Sequence, residues 1–444
     1  MSGQYREDLT VHREGAVLAG VSTPEAPIND FPEPLSELRG LATAAGARVL
    51  GNIVQRREKP DVATYLGRGK LQELAQLVDE EDANVIIFDD ELHPAQVRNL
   101  EKQTSTKVVD RTELILDIFA TRAQTEQAKL QVELAQLEYL RPRLRRMWTH
   151  LETQGGGIGT RGPGETQLET DRRLIGKRIK DLKERLSVIK RRKEREVDAR
   201  KREFRVSLVG YTNAGKSTLM RELTGDEDIL VADQLFATLD TRTRRWAIPG
   251  WGKVLLSDTV GFIRKLPHDL VESFKATLEE AVHADLLLHV INAADPNAIP
   301  QYHAVNSVLE EIGVRDKPTI LVLNQVDRMN DVSVLNALEH LHPNTVAVSA
   351  RTGEGLDKLR QLVVSMLSHR YVEAEVEFYA GDGKLRAYLG AHSQIFEESY
   401  EGEQVVLRLR IAKHLLERVQ NELRVISLAA AIPSDPPPTQ RLYE

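Results

Sequence analysis

The chain has 444 residues, of which 41% are hydrophobic and 29% charged, and this ordinary composition predicts about three folded domains. The absence of cysteine excludes disulfides, thiol nucleophiles and cysteine-based metal sites. The N-terminus carries Arg6, Glu7 and Asp8 where a signal peptide needs an apolar core, and no later run reaches the roughly 18 apolar residues of a membrane span. We therefore expect a cytoplasmic protein without a membrane span, monomeric when free.

The net charge of −7 conceals an uneven distribution. Residues 141–203 hold 20 Lys or Arg and 10 Asp or Glu, whereas the rest of the chain holds 40 and 57. Such a basic segment indicates either a solvated helix face or a surface for an acidic partner. Composition alone does not choose between them.

The N-terminal part reads as a small α/β domain. Residues 1–20 are expected to be flexible and 21–111 to fold around a parallel sheet. This follows because short apolar runs alternate with amphipathic segments. The predicted strands are 47–54, 85–88 and 107–109, and the predicted helices include 71–78 and 97–100.

Residues 112–203 are predicted to form a long helical hairpin. Apolar residues recur at helical spacing on both arms, at Leu130, Leu134, Leu137 and Leu144, and then at Ile175, Ile179, Leu182, Leu186 and Ile189. Pro142 is expected to end or kink the first arm. Between the arms, 155–164 is rich in glycine and contains Pro163, so it is predicted to be a loop.

Residues 204–369 are predicted to form a doubly wound α/β domain with a mostly parallel sheet. Its buried strands are expected at 204–209, 254–256, 286–291, 319–323 and 345–348. A small α+β domain is expected over 370–428, with strands at 374–378 and 404–411. The Pro-rich tail 429–444 is expected to be disordered.

A complete phosphate-binding loop follows the first strand of this domain. It reads Gly210, Tyr211, Thr212, Asn213, Ala214, Gly215, Lys216 and Ser217. Its glycines let backbone N–H groups surround phosphates, Lys216 neutralises the β and γ oxygens, and the Ser217 hydroxyl can bind Mg²⁺. The motif therefore predicts binding of a nucleoside triphosphate with magnesium.

Three further motifs end successive strands and indicate GTP and GDP as the ligands. The first is Asp258, Thr259, Val260 and Gly261; the second is Asn324, Gln325, Val326 and Asp327; the third is Ser349, Ala350 and Arg351. The first brings a carboxylate towards the metal and a glycine N–H towards the γ-phosphate. Asp327 can accept hydrogen bonds from both the N1–H and the amine of guanine, a donor pair that adenine lacks.

The mobile segment of a GTPase is expected at Phe236, Ala237, Thr238, Leu239 and Asp240. Thr238 is the candidate second Mg²⁺ ligand beside Ser217, with Thr241 and Thr243 as alternatives. Lys216, Thr238 and Gly261 are the candidate catalytic residues. Phe262 stands where many such domains have a glutamine that orients water, so slow intrinsic hydrolysis stimulated by a partner is expected. Asn213 is either a ligand for K⁺ or a loop residue adapted to an unusual backbone angle.

Together these motifs resemble the HflX family of ribosome-associated GTPases. The resemblance also rests on 155–164 with Glu165, Leu168, Glu169, Asp171, Arg172 and Arg173, on Phe88, Asp89, Asp90, Glu91 and Leu92, on Asp110, Arg111 and Thr112, and on 130–137. It covers roughly residues 17–428. Two departures are Gln325 in place of a lysine whose stem stacks on guanine, and Thr241 in place of a frequent proline.

The resemblance implies a GTPase that binds the large ribosomal subunit, including 23S rRNA, and splits or recycles stalled or idle 70S ribosomes under stress. A basic arm with a glycine tip suits contact with rRNA. The candidate RNA contacts are Arg141, Arg143, Arg145, Arg146, Gly156, Gly157, Arg161, Arg172 and Arg173.

Three alternatives remain open at this point. The chain could act in maturation of the large subunit, or it could be a signalling GTPase whose hairpin binds a protein. It could also remodel RNA with ATP, for which Gly67, Arg68, Gly69 and Lys70 provide a weak phosphate motif that is more simply an ordinary turn.

Overall fold

The computed structural model describes residues 14–25, 27–28, 33–144, 163–199, 204–228, 235–236, 241–249, 251–265, 280–314, 316–329, 332–368 and 371–430. The chain divides into two compact units. The N-terminal unit comprises Met1–Lys190, Ala232–Asp240 and Val260–Thr277. The C-terminal unit comprises Arg191–Val231, Thr241–Thr259 and Leu278–Glu444.

The N-terminal unit contains a parallel sheet of four strands in the order β2-β1-β3-β4. The strands are β1 (Gly15–Ser22), β2 (Arg48–Arg56), β3 (Val85–Phe88) and β4 (Lys107–Val109). The helices are α1 (Ser36–Ala44), α2 (Arg68–Glu80), α3 (Pro94–Thr104) and α4 (Arg111–Arg122). The predicted alternation of strands and helices is therefore present.

The first strand corrects the expectation of a flexible segment through residue 20. Residues 15–20 form most of β1, which pairs with both β2 and β3 and is buried from Gly15 to Val21. Gly15, Ala16, Ala19 and Gly20 have weak strand propensity, so the local pattern gives little indication of a strand. Pairing on both sides overrides that propensity.

The two long helices pair as predicted. They are α5 (Glu126–Leu140), followed by a 3-10 turn at Arg141–Arg143, and α6 (Pro163–Ala199). Their seam is a cluster of Leu130, Leu134, Ile179 and Leu182, with Leu137, Ile175, Leu186 and Ile189 packed against it. Arg178 pairs with Glu133, and Arg185 pairs with Glu126. Residue numbers rise along α6 while those of their partners fall along α5, so the two helices are antiparallel.

The predicted loop segment 155–164 overlaps helix α6 at its C-terminal end. Helix α6 begins at Pro163, inside the segment 155–164, because proline is compatible with the first helical position. Residues 155–162 lie outside the described residues.

The C-terminal unit contains a sheet of six strands in the order β10-β9-β8-β5-β7-β6, parallel except for β6. The strands are β5 (Phe204–Gly210), β6 (Arg242–Ile248), β7 (Gly252–Asp258), β8 (Leu286–Asn292), β9 (Thr319–Asn324) and β10 (Thr345–Ala347). The helices are α7 (Lys216–Thr224), α8 (Ala298–Glu311), α9 (Val332–Glu339) and α10 (Leu356–Ser368). Two separate apolar clusters, one including Leu219 and Leu359 and the other Ala298 and Leu338, confirm the doubly wound fold.

The same unit ends in an antiparallel sheet in the order β12-β13-β11-β14. It consists of β11 (Tyr371–Tyr379), β12 (Ser393–Glu401), β13 (Gln404–Ala412) and β14 (Arg424–Ala430), with helices α11 (Gly383–His392) and α12 (Lys413–Val419). Residues 429 and 430, predicted as the start of a disordered tail, belong to β14; 431–444 lie outside the described residues.

A histidine in the core of this unit gives a prediction for pH dependence. His289 on β8 is 1% exposed, stacks on Tyr302 at 5.2 Å, and neither ring nitrogen has a partner in the described part of the chain. Burial, with smaller contributions from His342 and Lys216, lowers its pKa from 6.5 to about 3. Because the unfolded chain binds this proton more readily, the contribution of His289 to the free energy of unfolding should be constant well above pH 6.5. It should fall below that pH, by about 2 kcal/mol at about pH 5.

The variant His289→Phe keeps an aromatic ring and removes the titration. Chemical unfolding at about pH 5 and about pH 7 should show a smaller loss of stability in this variant than in the unmodified chain. The matched control is Tyr302→Phe, which keeps an aromatic ring stacked on His289 and leaves the titrating imidazole in place, so it should keep the pH dependence of the unmodified chain. An equal loss in His289→Phe and the unmodified chain would contradict the assignment.

Candidate nucleotide-binding site

The phosphate-binding loop connects β5 to α7 at the carboxyl edge of the six-stranded sheet. Gly210 and Gly215 have φ of +151° and +87°. A Cβ on Gly210 would lie 2.2 Å from the Val290 carbonyl oxygen, and one on Gly215 would lie 2.3 Å from the Asn324 amide nitrogen. Only glycine therefore allows the loop to turn this closely over the neighbouring strands.

Lys216 begins α7 and turns its ammonium back onto the loop. Nζ donates to the carbonyl oxygens of Tyr211 at 2.7 Å and Gly210 at 3.1 Å. Burial lowers the pKa of Lys216 to about 8, and the Asp258 carboxylate offsets part of this shift. A bound polyphosphate would place negative charge beside this buried ammonium and stabilise its charged form. The site is therefore electrostatically matched to a nucleotide.

Ser217 and Asp258 meet as the motif predicts. The Ser217 Oγ donates to Asp258 Oδ2 at 2.6 Å, which brings a hydroxyl and a carboxylate together beside the helix N-terminus. Hard oxygen donors of this kind fit Mg²⁺, which keeps water and phosphate oxygens for its other positions. The next residue, Thr259, has a structural role, since its hydroxyl donates to the Leu208 carbonyl at 2.7 Å.

The guanine motif is held by hydrogen bonds between three loops. Asn324 donates to the Ala214 carbonyl oxygen at 2.9 Å and accepts from the Ala350 N–H at 3.0 Å. Ser349 donates to Asp327 Oδ1 at 2.7 Å. Asn324 therefore links the phosphate loop to the third motif, and Ser349 fixes one oxygen of the carboxylate expected to read the base.

Gln325, one of the two departures from the family pattern, makes a hydrogen bond to the phosphate-binding loop. It lies at φ +66°, and its amide nitrogen donates to the Asn213 carbonyl oxygen at 3.3 Å. Asn213 itself has φ of +61°, which agrees with its interpretation as a loop residue in an unusual conformation. Coordination of K⁺ by Asn213 stays a prediction.

The predicted mobile segment is described only in part. Thr238, with Ala237, Leu239 and Asp240, lies outside the described residues. Phe236 is buried in the N-terminal unit and packs edge-on against Phe119 at 4.6 Å between ring centroids. Of the alternative threonines, Thr243 is a residue of β6 whose hydroxyl bonds the Ser257 hydroxyl at 2.9 Å, which gives it a role in the sheet.

The residues after Asp258 and Thr259 belong to the N-terminal unit. Val260, Gly261 and Phe262 are buried there. Arg264 Nε lies 3.3 Å from Glu37 Oε2, and Lys265 Nζ lies 2.9 Å from Asp89 Oδ2 and 2.5 Å from Asp90 Oδ1. Sequence reasoning missed Arg264 and Lys265, because two basic residues in a loop give no signal of the acidic groups that they meet.

The candidate RNA contacts fall into three groups. Arg172 and Arg173 are exposed on α6, and Arg141 is in the 3-10 turn that follows α5. Arg145, Arg146, Gly156, Gly157 and Arg161 lie outside the described residues. The prediction that Arg143 contacts RNA is wrong, because its side chain is buried. Arg143 pairs with Glu91 at 3.0 Å and Asp110 at 3.4 Å, and its guanidinium lies 3.7 Å over the Tyr139 ring. Its guanidinium is thus held within the N-terminal unit.

The weak phosphate motif near residue 67 is a helix start. Gly67 precedes α2, and its N–H donates to Gln55 Oε1 at 2.8 Å. Lys70 pairs with Glu73 at 2.5 Å, three residues later on the same helix. These contacts agree with its interpretation as an ordinary turn.

These features define a P-loop GTPase. One edge of the sheet carries a phosphate-binding loop, a buried lysine, a serine–carboxylate pair and a guanine motif. Family models match along the chain: "GTP-binding GTPase N-terminal" at residues 32–120, "GTP-binding GTPase Middle Region" at 122–200, and "50S ribosome-binding GTPase" at 205–325. Among the described residues, no helix combines the length and apolar character needed to cross a bilayer.

The chain belongs to the HflX family of GTPases. It is 48% identical to GTPase HflX of Escherichia coli strain K12 over 358 residues, which cover 80% of this chain and 84% of that one. It is 44% identical to GTPase HflX of Lacrimispora saccharolytica over 413 residues, covering 92% and 96%. A GTP-binding protein from Sulfolobus solfataricus, solved in complex with GDP, is 28% identical, with coverage of 80% and 99% and a TM-score of 0.42.

Proposed function

We propose that this GTPase binds the large ribosomal subunit in its GTP-bound form and splits or recycles stalled or idle 70S ribosomes, in the cytoplasm and under stress. Hydrolysis would then time its release. The family supports association with ribosomes, and the matched family model is described as a ribosome-binding GTPase. The observation that carries the proposal for this chain is that the basic residues of α6 form two sets, one paired within the helical hairpin and one exposed.

Helix α6 uses its basic residues in two ways. Arg178 and Arg185 pair with glutamates of α5 and so hold the hairpin together. Arg173, Lys177 and Lys180 are exposed at spacings of four and three residues, which places them on one face of the helix, and Arg172 is exposed beside them. A rigid helix presenting a row of cations suits the phosphate backbone of folded RNA.

The nucleotide site supplies the switch. The loop amides and Lys216 would bind the phosphates of GTP, Asp327 would select guanine, and Ser217 would hold Mg²⁺ together with the carboxylate of Asp258 and, in our assignment, Thr238. When bound, Mg²⁺ neutralises charge on the β- and γ-phosphate oxygens. Phe262 cannot orient a water molecule through a hydrogen bond, so we expect slow intrinsic turnover that the ribosome stimulates.

The test uses a charge-neutralised variant, Arg172→Gln with Arg173→Gln. Sedimentation with 50S and 70S ribosomes, under a non-hydrolysable GTP analogue, GDP or no nucleotide, should show analogue-dependent binding that is about tenfold weaker in the variant and weaker at high salt. Affinity for GDP should stay unchanged. The matched control is Arg178→Gln with Arg185→Gln, which removes arginines already paired within the hairpin and should affect ribosome binding less.

The outcomes separate the proposal from its alternatives. A shift of 70S towards free subunits supports splitting. Binding to 50S without any effect on 70S favours a role in subunit maturation. No co-sedimentation under any nucleotide would contradict ribosome binding and would leave a GTPase whose hairpin binds a protein.

A further inference from the structure

Two neighbouring side chains of the guanine motif hold the phosphate-binding loop. Asn324 donates to the Ala214 carbonyl oxygen at 2.9 Å, and this hydrogen bond is buried. Gln325 donates to the preceding carbonyl oxygen, that of Asn213, at 3.3 Å, and this hydrogen bond is exposed. Asn324 therefore fixes the inner side of the contact between the two loops, and Gln325 closes its solvent-facing side.

Both residues of the exposed hydrogen bond have a left-handed backbone conformation. The φ angle is +66° at Gln325 and +61° at Asn213, in a region that residues with a Cβ rarely adopt. Such conformations cost free energy and persist where the surrounding structure determines them, commonly at ligand sites. The two loops thus meet through two residues whose backbones are locally unfavourable, which is typical of a functional contact.

The amide of Gln325 has a second partner on its own loop. Its Oε1 accepts from Arg328 Nη1 at 2.9 Å. A glutamine amide can donate to one group and accept from another, whereas a lysine ammonium has donors only. The lysine that the family pattern places at this position would also repel the guanidinium. Glutamine at 325 is therefore compatible with an arginine at 328 in a way that lysine is not.

The positive charge of this motif is carried by Arg328. Arg328 is exposed and directly follows Asp327, the carboxylate assigned to the edge of the base. Ser349 bonds one oxygen of Asp327 at 2.7 Å, which limits the movement of this part of the loop. A planar guanidinium stacks on aromatic rings, and a purine is such a ring. Arg328 therefore offers a flat cationic surface beside the residue that would bind the edge of guanine.

We propose that Gln325 and Arg328 act together to set the affinity for guanine nucleotides. Gln325 is a positioning residue that holds both the phosphate-binding loop and Arg328, and Arg328 contacts the guanine ring in place of the usual lysine. The proposal rests on the nucleotide site described above and not on ribosome binding. Because Asp327 is left intact, variants of the pair should bind GDP more weakly but keep the preference for GDP over ADP.

The experiment measures dissociation of fluorescent GDP from Gln325→Ala, Arg328→Met and the double variant, each in the full chain. Each single variant should release GDP about fivefold faster, as the loss of an exposed polar contact does. The double variant should also be about fivefold faster, because residues that act as a unit are not additive. The matched control is Arg360→Met on α10, where Arg360 bonds Asp357 three residues earlier, and its GDP release should stay unchanged.

A charge exchange tests the pair most directly. Gln325→Lys alone places an ammonium beside Arg328 and should speed release of GDP. Adding Arg328→Met to Gln325→Lys removes the repulsion and restores a single cation at 325, so release should return to within about twofold of the unmodified chain. Failure of this double variant to recover, or additive effects of Gln325→Ala and Arg328→Met, would overturn the proposal.

Asp327→Asn and the Tm distinguish the possible failures. Normal GDP release in Gln325→Ala and Arg328→Met beside weak binding in Asp327→Asn would overturn the role of the pair alone. Normal release in all three variants would overturn the nucleotide site as well. Since both side chains of the pair are at the surface, the Tm without nucleotide should be unchanged. A Tm that falls in step with faster release would show a loss of loop structure and would overturn the contact with guanine.

Discussion

Replacing Asp327 with Asn is expected to weaken GTP binding by about two orders of magnitude and to favour xanthosine nucleotides over guanosine nucleotides. In our assignment, the Asp327 carboxylate would offer two acceptors, one to the N1–H and one to the amine of guanine. In Asp327→Asn, one acceptor becomes an amide donor that faces the guanine amine. Xanthine carries a carbonyl oxygen at that position, so the new donor gains a partner.

Fluorescent GDP and XDP titrations on both proteins measure this exchange. The amide oxygen can still accept from Ser349, which holds Asp327 at 2.7 Å, so the loop should keep its structure. Asp357→Asn, at an exposed aspartate on α10 paired with Arg360 at 2.5 Å, is the control and should leave both affinities unchanged. If Asp327→Asn keeps the original preference for GDP over XDP, the carboxylate does not read the base.

The sequence predicted those parts of the fold that a short segment of the chain determines by itself. The phosphate loop, β3, β5 and β8 combine apolar runs with glycines or polar strand ends, so short segments suffice to recognise them. Strand β1 was missed because its small residues have weak propensity, and β6 was missed because four of its seven residues are threonine or arginine and its pairing is with β7. Such strands depend on partners distant in sequence.

The same limit applies to charged side chains. A run of arginines does not reveal that Arg143 is buried against Asp110 and Glu91, whereas Arg172 and Arg173 are exposed. The sequence likewise does not reveal that Arg410 contacts Trp251, a residue 159 positions away. Local pattern identifies which residues can carry chemistry, but only the tertiary fold decides which of them are already paired.

Replacing Arg111 with Met should destabilise the N-terminal unit by about 3–5 kcal/mol, as loss of one partner of a buried ion cluster does. Arg111 is 1% exposed at the start of α4. It pairs with Asp89 at 2.7 Å and with Glu37, and donates to the Arg264 carbonyl oxygen at 2.9 Å. Methionine fills much of the volume but leaves the Asp89 carboxylate buried without that partner.

Calorimetric unfolding should show a lower Tm, and Arg98→Met, at an exposed arginine on α3, should stay within about 0.5 kcal/mol of the unmodified chain. Adding Asp89→Asn to Arg111→Met should recover part of the loss, because the penalty arises mainly from the unpaired buried charge. An Arg111→Met variant as stable as the Arg98→Met control would contradict this account.

Within the N-terminal unit, the Arg111 cluster also joins the parallel sheet to the segment that follows Gly261. Arg111 bonds the Arg264 carbonyl, and Asp89 holds both Arg111 and Lys265. Arg111→Met should therefore speed amide exchange over 260–265 more than the Arg98→Met control does. The ion cluster that stabilises the parallel sheet should therefore also limit the freedom of the segment that contains Gly261. Unchanged exchange there, with a lowered Tm, would show that the two roles are separate.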